Sequence, residues 1–147
     1  MSAEQKPGAA ECNCHAVRAA ARHITQAYDQ FLAPAGLRTT QFSILARLKR
    51  QGPLTINALA ENMAMDRTTL GRNILPLQRD GLIRIQPSST DGRAKELHLT
   101  RAGEQRFAAA RKGWAAAQAR FENAYGAKRA AELRGLLRAV VESELTP

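Results

Sequence analysis

Between residues 39 and 100 the spacing of the apolar residues changes once, and this change restricts the fold more than any other feature of the sequence. Up to Gly81 the apolar residues recur every three or four positions in three short segments, as they do in helices that bury one face. After Gly81 they alternate on both sides of the stretch S-S-T-D-G-R-A-K, which is typical of two antiparallel strands joined by a turn. Three short helices followed by a β-hairpin are the elements of a winged helix-turn-helix.

Capping residues and helix breakers mark where these elements begin and end. Ser, Thr and Asp side chains accept hydrogen bonds from the free amides of a first helical turn, and Gly or Pro ends a helix. The third short helix contains Pro76, whose missing amide predicts a bend beyond the first turns. The predicted caps and stops are, in chain order, Thr39 or Thr40, Gly52-Pro53, Thr55, Asp66, Gly81 and Thr100.

The third short helix carries the residues that favour DNA as a partner. Its apolar stripe, Leu70, Ile74 and Leu77, would pack on Ile56 and Leu59 of the preceding helix. Arg, Asn and Thr suit the opposite face, because they hydrogen-bond to base edges or phosphates. A solvated amphipathic helix would also have a polar outer face, so this helix alone leaves both interpretations open. The candidate contacts are Arg67, Thr68, Thr69, Arg72 and Asn73, with the capping residues Thr55 and Asp66.

Two longer helical regions flank these elements. One helix is predicted from Cys12 to about Leu32, stopped by Pro34-Ala35-Gly36, and two more follow Thr100, the last from about Lys128. The apolar stripes of these helices offer more surface than packing against one small winged helix would bury. Dimerisation through these helices is one interpretation, and an intramolecular helical pair is the other.

The charge of the chain supports a polyanionic partner. Its 147 residues carry a formal net charge of +9, which favours nucleic acid or an anionic membrane surface. No stretch approaches the roughly 18 consecutive apolar residues of a membrane span. Residues 1–11 lack the apolar core of a secretory signal and are predicted to be a flexible N-terminal tail. We therefore expect a soluble cytoplasmic protein with no membrane partner.

Four segments together resemble the MarR family of bacterial transcriptional regulators. They are G-L-R-T-T-Q-F-S-I-L, L-T-I-N-A-L-A-E, M-D-R-T-T-L-G-R-N-I-L-P-L-Q-R-D-G-L-I and D-G-R-A-K-E-L-H-L-T-R-A-G. The resemblance covers roughly residues 24–145, with every element in the family's order. It implies a mainly α (α+β) fold with a winged helix-turn-helix DNA-binding domain at 37–100. The first and last helices, at 12–33 and 101–147, would form a helical dimerisation region.

The resemblance also implies a function and a role for the wing. Members of the family usually repress transcription as homodimers on a pseudo-palindromic operator, with each winged helix on one half-site. By position, Arg93 is expected in the minor groove, with Asp91 beside it to hold its side chain. A narrow minor groove concentrates negative potential, which an Arg side chain exploits. The side chains expected at neighbouring phosphates are Ser88, Ser89, Thr90 and Lys95.

A small-molecule effector is a further implication of the resemblance. Many members release DNA when an aromatic or phenolic ligand, or an acyl thioester, binds between the two domains. The candidate ligand-binding residues are His15, Arg18, Arg22, Phe42 and Trp114. Arg18 and Arg22 are one helical turn apart and would offer a cationic rim to a carboxylate. No cofactor is expected.

Cys12 and Cys14 keep a second kind of regulation open, because some members of the family sense oxidants through cysteine. On one helix the two side chains would lie about 200° apart, so they would neither pair nor share a metal unless the helix starts later. His15, His23 and His98 have no recognisable ligand spacing, so no metal site is predicted. A cysteine-based redox-sensing repressor therefore stays an alternative to the ligand-responsive one.

Two other classes of protein are alternatives to a specific regulator. A non-specific architectural DNA-binding protein would bind unrelated duplexes with similar affinity. An enzyme is not expected, because the sequence contains no G-x-S-x-G, P-loop or H-E-x-x-H motif, and no catalytic residue is assigned. The leading interpretation is a sequence-specific DNA-binding repressor that acts as a homodimer and is released by a small molecule.

Overall fold

The computed structural model describes residues 11–147, which form a mainly helical chain with one small sheet, as the sequence predicts. The helices are α1 (Asn13–Leu32), α2 (Thr39–Gln51), α3 (Ile56–Asn62), α4 (Arg67–Arg79), α5 (Arg101–Tyr125) and α6 (Ala127–Glu142). The strands are β1 (Leu54–Thr55), β2 (Ile83–Pro87) and β3 (Lys95–Leu99). The tail predicted for residues 1–11 lies outside the described residues except for Glu11. None of the described helices is both long and apolar enough to cross a bilayer.

The three strands form one antiparallel sheet in the order β1-β3-β2. The predicted hairpin is confirmed as β2 and β3, with Ile83 opposite Leu99. Strand β1 is an addition that the sequence does not predict, because two residues are too few to show an alternating pattern. Leu54 of β1 lies opposite the buried Leu97 of β3. The wing is therefore tied directly to the start of α3.

The core lies between α2, α3, α4 and the sheet, and the first half of α5 closes it. The apolar stripe of α4 is buried against Leu59 of α3, as its spacing predicts. Ile56 is partly buried and packs on the same cluster. The fully buried large side chains are Leu32, Ile44, Leu45, Leu59, Leu70, Leu77, Leu82, Ile83 and Leu97.

Three predicted helix caps are confirmed by their hydrogen bonds. The Thr55 hydroxyl accepts from the Ala58 amide at 3.1 Å and starts α3. The Thr100 hydroxyl accepts from the Gly103 amide at 3.0 Å and starts α5. Asp66 is the cap of α4. These caps need only residues within one turn of each other, which is why the sequence suffices to find them.

The predicted cap of α2, Thr39 or Thr40, is wrong, because Arg38 occupies that position. Gln41 Oε1 accepts from the Arg38 amide at 2.9 Å. The amide and the hydroxyl of Thr39 both donate to Asp29 Oδ1, each at 2.7 Å. A carboxylate from α1 therefore satisfies the start of α2, and this tertiary contact displaces the local cap by one residue.

The turn between α3 and α4 is built around Ala64, whose φ is +50°. The Met65 amide donates to the Ala60 carbonyl at 2.9 Å, and the Ala64 amide donates to the Glu61 carbonyl at 3.0 Å. This pair of bonds is the Schellman arrangement that ends many helices, and its left-handed position usually holds glycine. Gly81 fills that position after α4, with φ +71°, and closes the helix as predicted.

Helices α1 and α6 both pack on α5, and α1 and α5 also contact α2 of the winged helix. Helix α1 crosses α5 at Gly113, where a Cβ would lie 2.3 Å from the Phe31 carbonyl oxygen. The Tyr125 ring near the end of α5 stacks on Phe121 and lies under the guanidinium of Arg129, 4.1 Å from its centroid. The exposed large apolar residues of α1 and α6 are Val17, Leu136, Leu137, Val140 and Val141.

Candidate nucleic-acid interface

Helix α4 presents a cationic face on the side opposite its buried stripe. At about 100° of rotation per residue, Thr68, Arg72 and Arg79 lie on this outer side, and all three are exposed. Arg79 also approaches Asp80, with Nε 3.4 Å from Oδ1. The helix continues through Pro76, and the bend expected there stays a prediction. Two of the sequence candidates, Thr68 and Arg72, are thus free to meet an external partner.

Three other candidates on α4 are partly engaged inside the helix. Asp66 Oδ1 accepts from the Thr69 amide and Oδ2 accepts from the Thr69 hydroxyl, both at 2.8 Å. These bonds, chiefly the one from the amide, hold the pKa of the Asp66 carboxyl below its ordinary value. Asn73 Nδ2 donates to the Thr69 carbonyl at 2.8 Å. Asn73 keeps its Oδ1 and one amide hydrogen for an external group.

The wing turn fixes Arg93 through its backbone. Asp91 Oδ1 accepts from the Arg93 amide at 3.0 Å, and the Ala94 amide donates to the Asp91 carbonyl at 3.0 Å. The family resemblance predicts instead that Asp91 holds the Arg93 side chain. Among residues 11–147 no ion pair joins the two, so the guanidinium is exposed beyond a turn that Asp91 braces from within.

Ser88 lies inside the wing rather than on its surface. Only 7% of the residue is exposed. Its Oγ donates to Glu96 Oε2 at 3.0 Å and accepts from the amides of Thr90 and Asp91 at 3.3 Å. Glu96 Oε1 in turn lies 3.2 Å from His98 Nε2. Ser88 therefore has no free face for a phosphate, in contrast to the other expected phosphate contacts of the wing.

Glu96 and His98 brace the wing and were not among the candidates from the sequence. They are two residues apart on β3, and side chains at that spacing share one face of a strand. That spacing is a signal for their mutual contact. The spacing of Glu96 and His98 does not predict the contact with Ser88. Ser88 reaches Glu96 only because the turn brings the ends of the two strands together.

A small cleft brings predicted residues of the helices and the wing together. It has a volume of about 150 Å³ and lies where α3, α4 and β3 meet. Thr55 lines it from the cap of α3 and Arg67 lines it from α4, whereas Arg93 and Lys95 line it from the wing. Three cationic side chains thus line one cleft beside the N-terminal end of α4, and Arg and Lys are side chains that contact DNA phosphates.

A larger cleft of about 460 Å³ lies on the other side of α4, between that helix, α1 and α2. Arg72 and Asn73 line it, as do Arg38 and Arg79, which the sequence did not single out. Arg79 follows Arg72 by seven residues, which keeps both on one helical face. That spacing would have identified Arg79, whereas Arg38 belongs to another helix.

Two of the five ligand-binding candidates meet in an aromatic groove between α2 and α5. The Phe42 ring centroid lies 5.1 Å from that of Phe107 and 5.9 Å from that of Trp114. The groove has a volume of about 320 Å³. Lys49 on its rim is paired with Glu104 at 3.2 Å. The cationic residues of the rim are Lys49, Arg50 and Arg111.

The candidates on α1 are placed elsewhere. His15, Arg18 and Arg22 are exposed on the first three turns of α1 and do not line the aromatic groove. Cys12 precedes the helix as its cap, and its Sγ accepts from the His15 amide at 3.4 Å. Both cysteines are free and exposed. Within the described part of the chain no three metal-ligating side chains cluster.

Comparisons with known proteins agree with this arrangement. The MarR family profile matches residues 37–95. The transcriptional regulator MosR of Mycobacterium tuberculosis, solved in complex with DNA, is 36% identical, with a TM-score of 0.79 over 92% of this chain and 100% of MosR. The HTH-type transcriptional regulator YwoH of Bacillus subtilis is 28% identical over 93 residues, which are 63% of this chain and 67% of YwoH. The regulator PcaV of Streptomyces coelicolor, solved with its natural ligand, shares the fold with a TM-score of 0.82 and 21% identity, over 95% of this chain and 98% of PcaV.

Proposed function

This chain belongs to the MarR family of DNA-binding transcriptional regulators, and from that premise we propose that it is a homodimeric repressor released from its operator by an aromatic acid. Regulators of this family are not enzymes. The observation that carries the proposal is the shared cleft of α4 and the wing, which Arg67 lines from the helix and Arg93 and Lys95 line from the wing. The N-terminal end of α4 and the hairpin therefore share one cationic surface.

On this surface we assign different tasks to the two elements. Helix α4 enters the major groove, where Arg72 and Asn73 are the side chains suited to base edges. Arg93 enters the adjacent minor groove, since the braced turn already holds its backbone outward. Lys95, Ser89 and Thr90 lie beside it as phosphate contacts, which position the protein without reading sequence.

The homodimer is proposed from the exposed apolar face of the outer helices. Val17 is 45% exposed on α1, and Leu136 and Val141 are 68% and 66% exposed on α6. Within residues 11–147 these side chains thus keep about half or more of their surface exposed. Burying apolar surface stabilises an interface by about 25 cal/mol per Å². A two-fold dimer would also place the two copies of α4 about 34 Å apart, which matches one turn of B-DNA.

The proposed effector follows from the chemistry of the aromatic groove. Phe42, Phe107 and Trp114 offer ring faces, and Arg50 and Arg111 offer guanidinium groups at the rim. An aromatic ring that carries a carboxylate matches both features. The groove lies between α2 of the winged helix and α5 of the outer helices. A ligand that binds it better in one arrangement of these helices shifts the protein toward that arrangement.

A second candidate function is regulation by oxidation of the two cysteines. The sequence left disulfide formation open only if α1 starts after Cys12, and the structure starts α1 at Asn13. A disulfide to Cys14 would remove Cys12 Sγ as the acceptor for the His15 amide and so unwind the first turn of α1. This change would act on the proposed dimer helix rather than on the DNA surface.

The decisive experiment is a binding titration on the DNA upstream of the protein's own coding sequence. Fluorescence anisotropy at fixed salt should give a much lower Kd for this DNA than for an unrelated duplex of equal length. Equal affinity for both duplexes would favour the architectural alternative and would overturn the proposal.

The same titration separates the two kinds of regulation. Aromatic acids that raise the melting temperature should weaken binding to the specific DNA, and Phe42→Ala should abolish their effect. A peroxide that releases DNA from the wild-type protein but not from Cys12→Ser would instead assign the control to the cysteines. Sequence-specific binding that no compound or oxidant changes would remove the proposed release mechanism.

A further inference from the structure

The outer face of α4 carries an exposed apolar side chain, and the contacts of its arginines to DNA do not explain it. Leu75 is 64% exposed, and within the described winged helix, residues 37–100, it is the one exposed large apolar side chain. It lies on the outer face with Thr68 and Arg72. Together with Gly71 these residues have the spacing i, i+3, i+4 and i+7, from which homeodomain recognition helices contact DNA bases.

Gly71 has no packing role within the described chain. A Cβ built on it meets no atom within 4 Å, and its φ is not among the positive values. Glycine inside a helix destabilises it by about 1 kcal/mol relative to alanine. The free protein therefore gains nothing from this glycine. Glycine is favoured where a backbone must approach a ligand closely.

Leu75 is flanked along the helix by Arg72 and Arg79, one turn before it and one turn after it. Two exposed arginines on either side of an apolar side chain favour a partner that presents both anionic and apolar groups. The major groove of DNA suits the combination, because phosphates line its edges and thymine presents a C5-methyl group on its floor. The other leucine and isoleucine side chains of α4 are buried in the core and have no access to a ligand.

We propose that Gly71 and Leu75 form a reader of thymine methyl groups: Gly71 lets α4 approach the base edges, and Leu75 packs on the C5-methyl of one thymine per half-site. This inference rests on the proposed sequence-specific binding and adds a base type to it. It also gives the helix a direct apolar contact besides the hydrogen bonds of Arg72.

The test starts from duplexes selected by the wild-type protein from a random library. Each thymine of the selected site is replaced in turn by deoxyuridine, which removes only the methyl group. One thymine per half-site should show a loss of about fourfold in affinity, the value expected for one buried methyl group. In Leu75→Ala that position should become insensitive to deoxyuridine. Gln78→Ala, which truncates an exposed polar side chain one turn after Leu75 and removes no apolar contact, should keep the wild-type sensitivity.

Gly71→Ala supplies an independent readout. The free protein should melt at a higher temperature, because alanine favours the helix and its Cβ has open space. Affinity for the selected duplex should nevertheless fall at least tenfold, as the methyl holds α4 away from the bases. Unchanged affinity would overturn the role of Gly71.

The possible outcomes distinguish a failure of the thymine-methyl contact from a failure of the proposed sequence-specific DNA binding. A selected site without a deoxyuridine-sensitive thymine, or sensitivity that Leu75→Ala retains, overturns the methyl contact and leaves the regulator intact. Enrichment of no sequence at all removes the specific binding and the methyl contact together. Unchanged melting of Leu75→Ala verifies that the exposed side chain is not needed for folding.

Discussion

Gly103 at the start of α5 lies directly under the backbone of Leu82, so that a Cβ on Gly103 would stand 2.0 Å from the Leu82 carbonyl oxygen. The same oxygen accepts from the Thr100 amide at 3.1 Å, and the Thr100 hydroxyl donates to the Gly81 carbonyl at 2.6 Å. The end of α4, the first residue before β2 and the start of α5 are therefore locked together. This junction fixes the wing relative to α4.

Gly103→Ala should destabilise the protein, because its methyl group meets backbone that cannot move aside without breaking these bonds. Forced overpacking of this kind costs about 1–3 kcal/mol. The measurement is the free energy of unfolding from urea denaturation. The matched control is Gly71→Ala, the same change in another helix with open space around the new methyl, which should raise stability instead. Equal effects of the two substitutions would contradict the close contact at Leu82.

Ala64→Gly should stabilise the protein, because Ala64 holds a left-handed conformation that glycine adopts without strain. The expected gain is up to about 1 kcal/mol. Ala115→Gly is the control, since Ala115 is an exposed residue inside α5 and the same change there should cost about 1 kcal/mol. Urea denaturation of both variants at one protein concentration should show shifts of opposite sign. A loss of stability in Ala64→Gly would contradict the strained turn.

The caps illustrate what the sequence could and could not predict. Thr55 and Asp66 bond to amides three residues ahead, so their roles are visible in a short window of sequence. Arg38 replaces the predicted cap of α2 because Asp29, ten residues before Thr39, takes both donors of that threonine. Such contacts depend on how helices pack, and no local pattern contains them.

The candidate site shows the same division. The period of α4 predicted its buried and exposed sides, and the turn residues predicted an exposed Arg93. The position of Ser88 beside the turn predicted a phosphate contact, but its hydrogen bond to Glu96 across the hairpin holds the hydroxyl inside the wing. The aromatic groove joins Phe42 to Trp114 across 72 positions of sequence (114 − 42), a pairing fixed only when α2 packs on α5.

Asp66 should make the stability of α4 depend on pH in the acidic range. Its carboxyl has a lowered pKa in the folded protein, through the bonds from Thr69. Its contribution is therefore complete above the unfolded pKa of about 3.9 and is lost as the pH falls through the lower folded value. Asp66→Asn can still cap the helix but has no charge to lose. Wild type should be the more stable at pH 6, and the difference should shrink at pH 3.

Urea denaturation of both proteins at the two pH values measures this difference. Because each comparison is made at one pH, titration of the other carboxyls cancels to first order. A difference between wild type and Asp66→Asn that stays constant from pH 6 to pH 3 would contradict the lowered pKa of Asp66.

Ser88→Ala should loosen the wing without removing a group that touches DNA. The amides of Thr90 and Asp91 lose their acceptor, and Glu96 Oε2 loses a donor. An unpaired buried polar group costs about 1–3 kcal/mol. Hydrogen exchange at the two amides should speed up, and DNA affinity should fall because the turn that presents Arg93 is less ordered. Ser89→Ala, a change at an exposed neighbour, should leave the exchange of these amides as it is.

Arg93→Ala should weaken DNA binding by about 1–3 kcal/mol and leave the dimer intact, because Arg93 is exposed on the wing and makes no side-chain contact to the outer helices among the described residues. Removing one cation from a phosphate-rich groove should also lower the slope of log K against log salt by about 1. The measurement is anisotropy at several salt concentrations, with size-exclusion chromatography to follow the dimer.

If Arg93 lies in the minor groove, binding should also depend on the base composition of the flanks. A contact of Arg93 to phosphate predicts no such dependence. A narrow A·T-rich minor groove has the more negative potential, so wild type should prefer A·T-rich flanks beside the selected half-sites over G·C-rich flanks. Arg93→Ala should lose this preference, whereas Arg120→Ala, which removes the same charge from α5, should keep it. If Arg93→Ala weakens binding to both flanks equally, the side chain contacts phosphate. The wing then positions the protein and carries no information about sequence, and readout belongs to α4 alone.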